Sequence, residues 1–302
     1  MDAATKPTFG GKRDEVAGYA DMMLKPSPPL LMLRRLVRSV EKHGVRASMM
    51  RSWRRLVSSL TNHGIRGTFS RAFVTAPNRS VPVSPCPEHP FDRRYGTDTG
   101  GYISGAELEG TSLSAIYSTA YYGIPPSTLE YALGLLDQQE RGTEYPKEFT
   151  FVDLGSGKGR ALLVASRCEF RAIVGVELVA DLCRFAMMNS AVFPGVNGRI
   201  TVQMHDATTV AYSDGPLLVF LFHPFLKTVL RRVLANLEKQ LRKTPRVCFL
   251  LYAFDPEGGV VTGESNFFEQ VWDLPIPLSD EDAAVDELGQ GFYRYTLYKA
   301  KV

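Results

Sequence analysis

Cysteine is scarce in this chain: four residues in 302, Cys86, Cys168, Cys183 and Cys248, stand far apart with no C-x-x-C pair or neighbouring histidine. That spacing supports neither a zinc site nor a disulfide framework and fits a reducing compartment. Long apolar runs are missing as well. The longest, residues 217–226, is interrupted by His223 and Pro224 and falls far short of the roughly 20 residues that a membrane-spanning helix needs. The chain opens on Met1-Asp2 without the apolar core of a secretory signal. These absences lead to the expectation of a cytoplasmic protein that is not transmembrane. A strong charge of one sign is also lacking, since the formal net charge is only +3.

The distribution of that charge says more than its size. Residues 33–72 carry ten basic side chains (Arg34, Arg35, Arg38, Lys42, Arg46, Arg51, Arg54, Arg55, Arg66, Arg71) against one acid, Glu41, so the remainder is net acidic. Leu30, Leu33, Val37 and Val40, and again Trp53, Leu56, Val57 and Leu60, recur at helical spacing with arginines on the other side. The two stretches repeat one another: RLVRSVEKHGVR from Arg35 matches RLVSSLTNHGIR from Arg55, each copy reaching a His-Gly that suits a helix C-cap. Two copies are too few for a solenoid. Residues 30–73 therefore read as a basic helical hairpin, with His43 and His63 as capping residues. It would suit RNA, an anionic surface or an acidic partner; it would equally suit a solvated arginine face packed on the rest of the chain. Residues 1–29, with three glycines and four prolines, read as irregular, and residues 74–90, with five more prolines, read as a linker.

The chain from 91 to 302 has the composition of one domain of ordinary size. Its centre is residues 149–160, FTFVDLGSGKGR. A run of β-formers ends in Asp153, breaks into glycines at 155, 157 and 159, and continues into a helix expected over 160–167. Strand, glycine turn and helix together open a βαβ unit in which a ligand can approach bare backbone at a helix N-terminus. The spacing is G-x-G-x-G with an acid two residues before the first glycine. A dinucleotide fingerprint would read G-x-G-x-x-G. Residues 172–176 form a second apolar strand ending in Glu177, and an acid there can accept hydrogen bonds from ribose hydroxyls. A helix over 180–192 leads to a strand over 199–204, followed by His205-Asp206-Ala207. Residues 217–222 form a wholly apolar strand, as a central parallel strand should be, and it ends in His223-Pro224-Phe225. A helix over 226–242 and strands over 247–254, 267–274 and 292–299 complete the pattern. Only a short connection fits between 255 and 265, which suits a terminal antiparallel hairpin.

Two stretches precede this unit. Residues 91–102, FDRRYGTDTGGY, crowd aromatic, charged and glycine residues together and read as a functional loop outside the core. Tyr121-Tyr122-Gly123-Ile124-Pro125-Pro126 leads into a helix for which Ser127 and Glu130 offer a capping box and Leu129, Leu133 and Leu136 the buried stripe. Tyr121 and Tyr122 would stand near the mouth of a ligand pocket.

The loop Gly155-Ser156-Gly157-Lys158-Gly159 resembles motif I of the class I S-adenosylmethionine (SAM) methyltransferases. Over about residues 91–298 the chain resembles a largely uncharacterised family of bacterial class I methyltransferases, through FDRRYGTDTGG, YYGIPPS, FVDLGSGKGRALLVAS, IVGVEL, HDAT and LFHPF. The resemblance implies an α/β fold: a Rossmann-like class I methyltransferase sheet with helices on both faces, preceded here by the basic helical extension. It implies SAM as cofactor, held by Asp153, Gly155, Ser156, Gly157 and Gly159, with Glu177 on the ribose and Asp206 and Ala207 at the adenine. One position departs from the family, whose fourth-strand motif reads Asn-Pro-Phe where this chain has His223-Pro224-Phe225. His223, with an unperturbed pKa near neutrality, can orient or deprotonate a nucleophile, and Tyr121 joins it as a candidate catalytic residue. The expected activity is methyl transfer to an acceptor that no motif identifies. Protein lysine methylation is one alternative, given a similar DLGSG-x-G run in seven-strand lysine methyltransferases; a SAM-binding module without turnover, anchored by the basic helices to RNA or membrane, is another.

Overall fold

The computed structural model of the chain describes residues 89–103, 120–140, 143–196, 198–254, 259–286 and 289–302. The irregular segment 1–29, the basic hairpin 30–73 and nearly all of the linker 74–90 lie outside the described residues. Among those described, no helix is long and apolar enough to cross a membrane.

Seven strands form one sheet: β1 (Thr150–Leu154), β2 (Ala172–Glu177), β3 (Ile200–Met204), β4 (Leu217–Phe222), β5 (Cys248–Ala253), β6 (Phe268–Pro277) and β7 (Phe292–Ala300). Their order is β3-β2-β1-β4-β5-β7-β6. The first five run parallel, while β7 inserts antiparallel between β5 and β6. This is the Rossmann-like sheet of the class I methyltransferase fold, with the terminal hairpin that the short 255–265 connection anticipated. Among the described residues of that connection lies a five-residue helix, α6 (Val260–Glu264).

The central strand β4 is apolar throughout, and its neighbours β1 and β5 largely so, because both of their faces are covered. Phe151, Ile173, Leu218, Phe220, Phe249 and Leu251 point to one core. The alternating residues Val152, Leu154, Leu217, Val219, Leu221 and Leu250 point to the other. Helices α2 (Pro126–Gln139) and α3 (Arg160–Ala165) close the first side. On the second side α5 (Lys227–Lys243) buries Val229, Leu230, Val233, Leu234, Leu237 and Leu241, a stripe at three- and four-residue spacing. Helix α4 (Ala180–Val192) follows β2, and α7 (Asp280–Ala283) precedes β7.

Two sequence expectations are corrected. Residues 91–102 are not confined to a surface loop. They begin with a helix, α1 (Pro90–Tyr95), led by a proline at its first turn, and Phe91, Asp92, Thr97 and Thr99 are buried. Phe91 stacks on Phe193 at the end of α4 and Tyr95 packs tilted against it, with ring centroids 5.7 and 4.6 Å away. The capping box at Ser127 and Glu130 does not form either. The helix starts at Pro126, and Ser127 sends both its amide (2.8 Å) and its hydroxyl (2.5 Å) to Asp282 of α7, while Glu130 pairs with Arg167. A carboxylate more than 150 residues away in sequence thus caps the helix, which no local pattern could announce.

Candidate functional site

The carboxyl ends of β1, β2, β3 and β4 open onto a cavity of about 330 Å³, at the lower end of the volumes small-molecule sites take. Asp153, Gly155, Ser156, Glu177, Asp206, Ala207, Tyr121 and His223 all line it. Residues spread over a hundred positions are brought together because parallel strands end on the same side of the sheet. Gly157 and Gly159 stand outside this lining.

Each glycine of the turn has a positive φ, 83° at 155, 54° at 157 and 87° at 159, which explains why glycine is needed at each. Each is also closely packed. A Cβ at Gly155 would fall 2.5 Å from Pro224, one at Gly157 2.2 Å from the Tyr121 ring, and one at Gly159 3.1 Å from the Ala186 Cβ. The turn is therefore clasped by the His223-Pro224-Phe225 tip, by Tyr121 and by α4.

Asp153 is the residue whose environment most clearly calls for a ligand. It is 3% exposed, it faces the cavity, and among the described residues its carboxylate has no hydrogen-bond partner. Burial, and then the neighbouring Glu177, hold its pKa well above the ordinary carboxylate value. The Ser156 hydroxyl beside it is likewise buried and unpaired among the described residues. Glu177 differs. Its Oε2 accepts the Gly157 amide at 2.8 Å and its Oε1 those of Leu178 and Val179 at 2.8 and 2.9 Å. Burial raises its pKa and these three bonds oppose the rise. A carboxylate offers about four acceptor positions, so Glu177 keeps one for a ligand, where the sequence suggested that it would take both ribose hydroxyls.

Asp206 uses Oδ1 to accept the amide and hydroxyl of Thr208, at 2.8 and 2.7 Å. This fixes the turn after β3 and sets buried Ala207 in the cavity wall. His205 accepts the Asp206 amide on its Nδ1. At the other end, Tyr122, Phe222, His223 and Phe254 build an aromatic wall, with Tyr122 and Phe222 rings 4.9 Å apart. His223 and Phe254, at the tips of neighbouring strands β4 and β5, are the two non-glycine residues with positive φ, 41° and 62°, among the described residues. Strained backbone of this kind concentrates at functional sites. The His223 Nδ1 lies 3.1 Å from the Tyr252 hydroxyl. Tyr121 lines the cavity, and its hydroxyl donates to the Thr99 carbonyl at 2.7 Å.

Sequence reasoning missed Arg160, Phe254 and Tyr252. Arg160, 4% exposed, was readable only as the first residue of a helix. The signal that it is buried lies in Gly123, where a Cβ would meet its guanidinium carbon at 2.5 Å.

Neither a family model nor a curated protein matches the chain. Solved structures do. The chain is similar to magnesium protoporphyrin IX methyltransferase (ChlM) from Synechocystis PCC 6803 with bound SAM, at 12% identity and a TM-score of 0.42, over 58% of this chain and 79% of that one. It is similar to a SAM-dependent methyltransferase from Geobacter sulfurreducens in complex with S-adenosyl-L-homocysteine, at 13% identity and TM-score 0.38, over 58% and 90%. It is also similar to geranyl diphosphate C-methyltransferase from Streptomyces coelicolor A3(2), at 14% identity and TM-score 0.38, over 57% and 78%. The fold assignment itself rests on the strand order.

Proposed function

We propose that this chain is a class I SAM-dependent methyltransferase. The observation that carries the reading is Asp153: a buried carboxylate near the end of β1 with no hydrogen-bond partner among the described residues, beside a glycine turn and facing a cavity of ligand size. A cationic donor favours the ionised form of such a group, and the α-ammonium of SAM is one. The remaining wall fits the same molecule. Glu177 offers its last acceptor position to a ribose hydroxyl, Ala207 and the turn pinned by Asp206 border the adenine, and Ser156 offers an unpaired hydroxyl. When bound, SAM supplies a methyl group already activated on a sulfonium. The protein's share is to align the acceptor and exclude water. The aromatic wall of Tyr122, Phe222 and Phe254 excludes water at the acceptor end, and His223, oriented from behind by Tyr252, receives a proton from the acceptor.

Calorimetric titration with SAM tests the reading. Wild-type protein is expected to bind and Asp153→Asn to lose about ten- to a hundredfold in affinity, the worth of a charge-assisted hydrogen bond; a wild type that takes up no SAM refutes it. Incubation with methyl-labelled SAM and fractionated lysate then sorts the acceptor into protein, RNA or small molecule. Binding without any label transfer would identify a SAM-binding module, and label on protein lysines a lysine methyltransferase. The basic residues 30–73 are proposed as the contact to an acidic partner or anionic surface, tested by comparing lysate labelling with and without them.

A further inference from the structure

The segment FDRRYGTDTGG has no part in the reading above, yet its polar atoms converge on the glycine turn. Asp92, 3% exposed, accepts on Oδ1 from the Thr97 hydroxyl (2.7 Å), the Thr99 amide (2.9 Å) and the Thr99 hydroxyl (2.6 Å). Its Oδ2 pairs with Arg160 at 3.2 Å. Arg160 donates through Nε to the Thr99 hydroxyl at 2.6 Å and through Nη1 to the Ile124 carbonyl at 3.3 Å. The Thr99 hydroxyl therefore both donates and accepts, and its carbonyl receives the Tyr121 hydroxyl at 2.7 Å. One residue further from the core, Lys158 donates to Asp98 at 2.8 Å and to the Gly100 carbonyl at 2.9 Å. Asn189 of α4, 3% exposed, ties the two segments together: its Nδ2 donates to the carbonyls of Asp98 (2.8 Å) and Lys158 (2.9 Å), and its Oδ1 accepts the Asp98 amide (2.8 Å).

These bonds share one target. Residues 157–160 include two glycines in left-handed conformations, which bring no side chain of their own to hold the turn, and the Tyr121 ring covers the first of them. We infer that residues 97–100, backed by Asp92 and Arg160, are a strap that holds the glycine turn in its ligand-ready shape, and that Tyr121 is a positioning residue of this strap with no acid–base role. Resting on the SAM reading, this deepens it by assigning the polar motif to the donor side of the site. Polar networks this completely satisfied specify one geometry, and a turn built from glycine lacks any other means of selecting one.

Three variants of the full chain test the strap: Thr99→Val, which keeps shape and removes the hydroxyl; Thr99→Ser, which restores it; and Tyr121→Phe, which removes one oxygen. SAM affinity is measured by calorimetry, and label transfer into lysate is measured over SAM concentrations up to saturation. Thr99→Val is expected to weaken SAM binding about tenfold or more and Tyr121→Phe about fivefold, the range set by a lost buried hydrogen bond. Thr99→Ser is expected to stay within about threefold of wild type by the same reasoning. In label transfer the loss in Tyr121→Phe is expected mainly in the KM for SAM and less in kcat, the split that marks a positioning residue. If Thr99→Val does not fold, Tyr121→Phe decides alone. Unchanged SAM affinity in Tyr121→Phe overturns the strap, and so does a collapse of transfer at saturating SAM with affinity intact, which marks an acid–base tyrosine. A wild type that binds no SAM fails the donor reading first; a wild type that binds, with variants binding as tightly, fails the strap alone.

Discussion

Asp153 and His89 are perturbed in opposite senses, and each carries a pH signature. Burial, reinforced by Glu177, raises Asp153 well above its usual 3.8. A bound ammonium favours the ionised form, so SAM binding should release a proton wherever free Asp153 is still partly protonated. Affinity should rise with pH through the raised pKa and level off above it, and the observed binding enthalpy should depend on the ionisation enthalpy of the buffer. Asp153→Asn should abolish both dependences; their persistence in the variant would show that another group titrates. His89 is held down to about 4 from 6.5, chiefly by burial and then by Arg160. The unfolded chain thus binds a proton between these values that the folded chain refuses, and stability contributed by neutral His89 is lost as pH falls from about 6.5 toward 4. Asp153 and Glu177, with raised values, act in the reverse direction as pH climbs above the ordinary carboxylate range. Comparing urea denaturation of wild type and His89→Gln across pH isolates the histidine: the difference between them should change through that window and stay flat above it.

Elements here are tied to one another by contacts that their own sequences do not advertise. The three glycines were legible as a tight turn between β1 and α3 because an acid, their spacing and a following helix all lie within twelve residues. That Gly157 is sealed by Tyr121, 36 positions earlier, was not, since nothing in a local pattern reports what packs against a missing Cβ. Gly157→Ala is therefore a poor probe of cofactor contact alone. It combines a left-handed alanine with overpacking against the Tyr121 ring, and should cost about 2–5 kcal/mol of stability. Adding Tyr121→Ala should remove the overpacking share, so the double variant should be more stable than the two single costs predict by about 1–3 kcal/mol. Additive effects in thermal or urea melts would mean that the ring does not limit this position. The α2 cap follows the same logic. Asp282→Ala deprives the Ser127 amide and hydroxyl of their acceptor and should cost about 1–3 kcal/mol, whereas a true capping box at Ser127 would leave stability unmoved.

At the scale of the whole molecule, the parallel order and the terminal hairpin were readable because hydrophobic period, strand length and connection length all act locally. The place of residues 91–102 was not, because their burial depends on Arg160 and Phe193, which meet them only once the sheet is formed. The stretch from residue 89 is thereby packed into the folded unit. His89 accepts the Phe91 amide at 3.1 Å and lies 3.5 Å from Asp282, Asp92 holds Arg160, and Asp98 holds Lys158 and Asn189. Removing residues 1–74 cuts none of these bonds and should leave SAM affinity within about threefold and the melting temperature within a few degrees. Extending the deletion through residue 101 removes α1 and the strap together. It leaves Arg160 as an unpaired buried cation, a loss of about 3–5 kcal/mol, which is a large part of the stability of an ordinary domain. The longer deletion should therefore give protein that melts at much lower temperature or does not fold. Equal melting of the two truncations would show that the motif is an appendage; a sharp difference between them would fix it as part of the folded unit.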